Sequence, residues 1–341
     1  MIHGAIIGIG KIAQTGHLPA YADPRIRDQA VIVAAADPSP ASRALAAQTA
    51  PGLRLYEDLQ TLLAKEQVDF LDICTTPQTH RAIIEQGVSR KLHIVCEKPL
   101  ASTLEDAAYI STLLRAEARL AFVPCHQYRY SPLWVQFKRF LDGQTLKDGF
   151  LLEFSVYRTE ADPGLHRGGP VWRMEKKTSG GGILADTGVH YLYLCLWMLG
   201  LPASVSARVS RLAHHGTEVE DTALVTLEYN HGMVQIILTW AADRRANSAR
   251  CVTLHGSLVY DGQSLVRRIG DQSTRIPVAD ASDKTHYVTM YADLFDEFVG
   301  YVHSGTPCTP WIDEAYHAVQ LLHACYRSAQ EERTVHLDET T

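Results

Sequence analysis

The chain has 341 residues, about twice the length of a common single domain, so two domains with full cores are expected. A composition of 46% hydrophobic and 21% charged residues, with 23 Gly and 15 Pro, excludes disordered, collagen-like and low-complexity classes. The formal net charge of -6, with no basic run longer than two residues, argues against a nucleic-acid partner, whose phosphates demand a positive stripe.

The N-terminus runs directly from Met1-Ile2-His3 into an apolar strand, without the basic segment and small-residue cleavage site of a secretory signal. From there the chain alternates two grammars. Continuous apolar runs at Ala5 to Ile9, Val31 to Ala36, Phe70 to Cys74, His93 to Cys96 and Leu120 to Pro124 read as buried parallel strands. Helical patterns fill the gaps at Pro40 to Gln48, Leu59 to Glu66, Thr79 to Val88 and Leu104 to Glu117, with Ser39 and Ser102 or Thr103 as caps. Strict alternation of strand and helix predicts a Rossmann-type, doubly wound parallel sheet over residues 1–124.

Residues 125–341 read as a second, α+β domain. Helices are predicted at Leu133 to Leu141 and Ile183 to Leu199. Strands of period two follow at Val205 to Leu212, Thr222 to Tyr229, Met233 to Trp240 and Arg250 to Leu254, and then two closing helices, Val288 to Val302 and Asp313 to Gln330. An antiparallel sheet covered on one face is expected. The apolar run Tyr191 to Leu199 falls short of the roughly 20 residues of a membrane span, so no membrane partner is expected. Seven scattered cysteines without a C-x-x-C pair predict reduced thiols, a cytoplasmic location and neither disulfides nor a metal site.

Chemistry enters at the first strand-to-helix turn. Gly8-Ile9-Gly10-Lys11-Ile12-Ala13 is a G-x-G-x-x-A sequence: the first glycine permits the tight turn, the second admits a pyrophosphate, and the helix start supplies N–H groups. The second strand ends in Asp37, where an acid can bind both ribose hydroxyls and repel a 2'-phosphate, which favours NAD over NADP. Pro19 should kink or end the first helix. Lys98, in Cys96-Glu97-Lys98-Pro99, stands at the carboxyl end of a strand and is aimed at the ligand crevice. Behind Gly180-Gly181-Gly182, whose lack of side chains allows close backbone approach, Asp186 and His190 stand four apart on one helical face and form an acid-base pair.

The order of these motifs, with Thr76-Pro77 and His80, Gln127-Tyr128-Arg129-Tyr130, and Trp172-Arg173, resembles the Gfo/Idh/MocA oxidoreductase family, which includes glucose-fructose oxidoreductase and inositol dehydrogenases. The resemblance spans nearly the whole chain. It implies Lys98, Asp186 and His190 as the catalytic trio. Thr75, Thr76, Pro77, His80 and Glu97 would line the nicotinamide half of the cofactor, with Trp172 and Arg173 reaching it from the second domain and Arg129 and Tyr130 bordering it. Tyr157, Trp172 and Tyr287 are candidates for substrate contact, with simple packing as the competing reading.

The expected chemistry is hydride transfer between NAD and a secondary alcohol or ketone of a sugar, cyclitol or related polyol. His190 exchanges the hydroxyl proton, Lys98 stabilises alkoxide charge, and Asp186 binds a neighbouring hydroxyl or holds His190. Two alternatives have known precedent in the same family: an NAD-dependent glycosidase working by transient sugar oxidation, and a non-catalytic sensor like the fungal galactose repressor. Apolar residues on both faces of the Thr222 to Tyr229 strand predict a homodimer or homotetramer through the C-terminal sheet.

Overall fold

The structure, a computed structural model, describes residues 1–162, 172–278 and 286–337. The first half carries β1 (Ile2–Ile7), α1 (Leu18–Tyr21), β2 (Ala30–Ala36), α2 (Pro40–Thr49), β3 (Arg54–Tyr56), α3 (Leu59–Lys65), β4 (Phe70–Ile73), α4 (His80–Ser89), β5 (His93–Cys96), α5 (Leu104–Ala116) and β6 (Phe122–Pro124). It continues with α6 (Pro132–Asp142), β7 (Phe150–Tyr157), α7 (Lys176–Ser179), α8 (Val189–Leu199), β8 (Ser204–Ser210), β9 (Thr222–Tyr229), β10 (Gly232–Thr239) and β11 (Ala246–Thr253). The chain closes with β12 (Gly256–Tyr260), β13 (Leu265–Ile269), β14 (Gln272–Ile276), α9 (Tyr287–Ser304), α10 (Thr309–Glu331) and β15 (Val335–His336).

The described residues form two compact units. One holds Met1–Gln127 together with α9 and the beginning of α10 as far as Tyr316; the other holds Tyr128–Asp162, the stretch from Trp172 to β14, and the chain from His317 onward. This differs from the single cut expected after residue 124, which left both closing helices with the second domain. The physical reason is aromatic packing: α9 sets Tyr291 and Phe295 against His17 (ring centres 4.2 and 5.5 Å apart), stacks Phe295 on Tyr21 at 4.2 Å, and sets Phe298 against Phe70 at 5.3 Å. Burying those rings is the dominant favourable contribution of the helix, and its partners all lie in the first unit.

In the first unit the strands pair in the order β3-β2-β1-β4-β5-β6, every pair parallel. The chain builds outward from β1 to β3, returns, and builds the other way from β4 to β6. The reversal lies between β1 and β4, the position at which doubly wound sheets open a crevice beyond their carboxyl ends. Ser39, Asp58 and Thr103 cap α2, α3 and α5 by accepting the N–H of the residue three further on. Pro19 does not end its helix. A wide π turn at Ala13–His17 precedes it, in which the Leu18 N–H reaches back to the Ala13 carbonyl, and the helix runs on to Tyr21.

The second unit is a nine-stranded sheet in the order β14-β13-β12-β11-β7-β10-β9-β8-β15. It is mixed rather than antiparallel: β7 inserts between β11 and β10 and runs parallel to β10. Along β7, β9 and β10 the side chains alternate, with Leu152, Phe154, Val156, Val225, Val234 and Leu238 buried on one face. Helices α6 and α8 cover that face, where Trp134 and Tyr191 pack against Phe154. The run Lys176–Leu199 is long and apolar enough by length and composition to cross a membrane, yet 72% of its apolar window is buried inside the fold. Leu192, Tyr193, Leu194 and Cys195 have no exposed surface, so α8 serves as the core helix of its unit.

Candidate active site

The glycine turn sits at the sheet's switch point. Gly8 has a φ of +88°, and a Cβ there would stand 2.9 Å from the Cys74 backbone just beyond β4, so only glycine fits. At Gly10 a Cβ would meet nothing within 4 Å: the backbone borders open space. Asp37, beyond the end of β2, holds the turn from the side, accepting the Ile9 N–H at Oδ2 (2.7 Å) and the Ser39 N–H at Oδ1 (2.8 Å). Its carbonyl accepts from Arg43 (2.6 Å). Two carboxylate oxygens with one backbone bond each keep further acceptor capacity for a diol. An open cradle at the second glycine, a helix start behind it and a carboxylate beside it fit a dinucleotide.

Thr75 and Thr76 follow β4 and are half-buried, but His80 corrects the expectation that it lines the nicotinamide. Its ring has no exposed surface, and both ring nitrogens lie 3.1 Å from backbone carbonyls, Nδ1 from Leu100 and Nε2 from Thr75. It therefore braces the segment after β4 against the segment after β5. Glu97 is corrected likewise. Its carboxylate turns inward, accepting from Tyr291 Oη (2.5 Å), His17 Nε2 (3.2 Å) and the Lys98 N–H (3.0 Å). His17 Nδ1 meets Asp72 at 2.8 Å, and Tyr21 donates to the same carboxylate at 3.1 Å.

In this sealed cluster burial alone would lower the His17 pKa, but the Asp72 and Glu97 carboxylates outweigh it and push it up to about 9. Burial would raise Glu97; its hydrogen bond and charge contact with His17 hold it below the usual carboxylate range. Cys74 and Cys125 lie close by, and with His17, Asp72 and Glu97 they form two groups of metal-ligand type that sequence reading did not anticipate. With two carboxylates and two tyrosine hydroxyls around one imidazole, the cluster is a buried hydrogen-bond and charge network. Lys98, half-buried, stands just past β5 with its backbone fixed by Glu97.

In the second unit, Asp186 lies in a second π turn, Leu184–Gly188, that opens the helix carrying His190. Glu220 organises this start: its carboxylate accepts the N–H groups of Gly182 (3.0 Å) and Leu184 (3.1 Å), and Tyr326 donates to it at 2.8 Å. The glycine run is thereby explained differently from the expectation. A Cβ on Gly182 would fall 1.8 Å from the Glu220 carbonyl, and one on Gly181 would fall 1.9 Å from Tyr326 Oη, so the close approach is to the protein itself. Gly180, at φ +81°, ends α7.

Asp186 Oδ1 accepts from Arg173 Nε at 2.7 Å, and the Arg173 guanidinium lies 4.4 Å from the Trp172 ring centre. His190 is 7% exposed; Tyr128 stacks on it at 4.3 Å, and Tyr193 Oη lies 2.8 Å from its Nδ1. Arg129 sits over the Trp197 ring at 5.3 Å. Tyr157 is a correction: it pairs with Thr239, on the sheet face opposite Val156 and Leu238, and it is the latter face that meets the start of α8 at Gly188. The period of two thus turns it away from His190. Tyr287 is half-buried, 6.4 Å from the Tyr291 ring. Glu220 carries a role that spacing did not reveal, because its partners Gly182, Leu184 and Tyr326 arrive through the tertiary fold.

Comparison with known proteins agrees with this anatomy. The chain is 25% identical over 98% of its length to D-glucoside 3-dehydrogenase of Escherichia coli, covering 97% of that protein. It is equally identical to inositol 2-dehydrogenase of Rhizobium meliloti, covering 97% of each chain. A solved oxidoreductase from Agrobacterium radiobacter, in complex with NAD+, L-tartaric acid and magnesium, superposes with a TM-score of 0.85 at 23% identity, covering 100% of this chain and 99% of that one. Residues 2–124 match the oxidoreductase family with an NAD-binding Rossmann fold, and residues 136–259 match the GFO/IDH/MocA C-terminal domain. With both domain signatures in order and an open glycine cradle for the dinucleotide, the chain belongs to the Gfo/Idh/MocA family of NAD-binding oxidoreductases.

Proposed function

We propose that this protein is an NAD(H)-dependent oxidoreductase acting on a secondary alcohol or ketone of a sugar, cyclitol or related polyol, with Lys98, Asp186 and His190 serving the same substrate. The observation that carries the reading is the parallel sheet's edge: Lys98 follows β5 at the same carboxyl end that bears the Gly8 to Gly10 cradle after β1. The family match and relatives named as sugar and inositol dehydrogenases support the substrate class.

Bound NAD supplies the hydride acceptor or donor. His190 takes the carbinol proton during oxidation and returns it during reduction. Lys98 donates a hydrogen bond to the same oxygen and stabilises developing alkoxide charge, a contribution on the order of 3 kcal/mol. Asp186, oriented by Arg173, accepts a bond from a neighbouring hydroxyl, which suits a polyol. A panel of sugars and cyclitols assayed for nicotinamide reduction tests the reading. The native enzyme turns over at least one, and Lys98→Met loses turnover by about a hundredfold or more while its NAD affinity holds. Near-normal turnover in that variant contradicts the role of Lys98.

The outward face of the C-terminal sheet supports a homodimer or homotetramer. Leu151, Met233 and Val252 are exposed there as cross-strand neighbours, and Leu224 pairs with Ile237. Seven free, buried cysteines support a reducing, cytoplasmic location.

A further inference from the structure

Glu220 ties the turn that bears Asp186 to the end of the second unit's sheet. Its own backbone is fixed first, because it precedes Asp221, whose N–H donates to the Ser210 carbonyl at the end of β8 (3.1 Å) and whose carbonyl accepts the Trp240 N–H just past β10 (2.7 Å). The Asp221 carboxylate, without exposed surface, adds the N–H groups of Leu212, Ala213 and His214, each at 2.8 Å. From that post Glu220, itself 8% exposed, takes three consecutive backbone donors. Its carboxylate accepts the N–H of Gly182 at 3.0 Å and of Leu184 at 3.1 Å, and its carbonyl accepts the Ile183 N–H between them at 3.1 Å. Gly182 passes the restraint on: its carbonyl accepts the Asp186 N–H at 2.9 Å. A helix start leaves such N–H groups to a local cap or a bound anion. Here a side chain 38 residues from Gly182 supplies the oxygens.

We propose that Glu220 is a positioning residue for hydride transfer, pinning the turn Leu184–Gly188 so that Asp186 and His190 meet the substrate together. The inference rests on the dehydrogenase reading above. The sequence around the turn offers no substitute: Ile183 stands at the cap position, and no side chain there accepts a bond. The turn is also wide, with one more residue than an α-turn. Asp186 and His190 therefore lack the fixed spacing of a regular helix, and their alignment depends on how the first residues are held. A carboxylate suits the task because both of its oxygens accept: Oε2 takes Gly182, and Oε1 takes Leu184 and the Tyr326 hydroxyl. Glutamine offers one oxygen and an NH2 group, which would face a backbone N–H with another donor.

The test is a rapid-mixing measurement of nicotinamide reduction by a polyol substrate, with enzyme in excess over NAD. In Glu220→Gln the rate constant is expected to fall about tenfold or more, in one phase of full amplitude, with NAD affinity unchanged. A merely structural loss gives a smaller fast phase at the wild-type rate constant, and a wild-type rate constant at any amplitude overturns the proposal. Amide hydrogen exchange reads the anchor itself. The N–H groups of residues 182–184 are expected to be protected in the wild-type protein and to exchange about tenfold faster or more in Glu220→Gln. Fast exchange in the wild type, or unchanged exchange in the variant, overturns the proposal. Where Glu220→Gln does not fold, Tyr326→Phe decides by the same measurement: a severalfold lower rate constant at full amplitude supports the proposal, and an unchanged one overturns it. If the wild-type enzyme reduces NAD with no polyol, the dehydrogenase reading fails, while exchange still decides whether Glu220 pins the turn.

Discussion

Asp37 shows how a residue legible in sequence can do more than its motif says. Its position at the end of the second strand marked it as the ribose acid, yet it also fastens the phosphate turn by accepting the Ile9 and Ser39 N–H groups. Hydrogen bonds to a charged group are worth roughly 1.5 to 3 kcal/mol each, and removing the acceptor strands two donors. Asp37→Ala is therefore expected to weaken NAD binding by about tenfold or more and to narrow the preference for NAD over NADP. Titration of both dinucleotides into the variant checks this, and an unchanged ratio would contradict the role of the carboxylate. Lys98, Asp186 and His190 stand in motifs that the sequence displays, and the Tyr193 to His190 contact, three residues apart on one helix, follows from spacing as well; the bond between Arg173 and Asp186 does not, because only the fold brings those two side chains together.

Among the elements, five of the six first-unit strands were legible because each is a continuous apolar run, while β3, a three-residue strand with Arg54 exposed, was not; the helices between them were legible because caps and periodicity agree. Strands β7 and β12 to β14 escaped, since β7 finds its parallel partner β10 more than seventy residues away by sequence number and β13 and β14 are largely exposed. The α9 helix was placed correctly as a helix but assigned to the wrong domain; nothing local says that its aromatic face fits His17 and Tyr21. That contact has a consequence for pH. His17 gains affinity for its proton on folding, from about 6.5 to about 9, so the ion network contributes fully below the lower value and is lost as pH rises through the upper one. Thermal unfolding followed across this interval should show Tm falling in the native protein. In His17→Gln, about 3 kcal/mol less stable at neutral pH, that fall should be absent. Parallel curves would contradict the buried imidazolium.

For the molecule as a whole, the first compact unit contains the matched NAD-binding Rossmann fold, residues 2–124, and the second contains most of the matched C-terminal domain, residues 136–259. The exposed apolar row on the second unit's sheet belongs to the same account. Met233→Arg, set between Leu151 and Glu228 in the register, is expected to convert an oligomer to a smaller species by light scattering at micromolar concentration; a native monomer would contradict the proposed interface. Hydride transfer itself is followed most directly with deuterium. The native enzyme would be mixed with NAD and with sugars and cyclitols labelled at their ring carbinol carbons, and the products read by mass spectrometry. The expected result is deuterium on the reduced nicotinamide in amount equal to a ketone product. Label that stays with the sugar or washes into water while no reduced nicotinamide accumulates, or a complete absence of transfer with every polyol, would contradict the assignment.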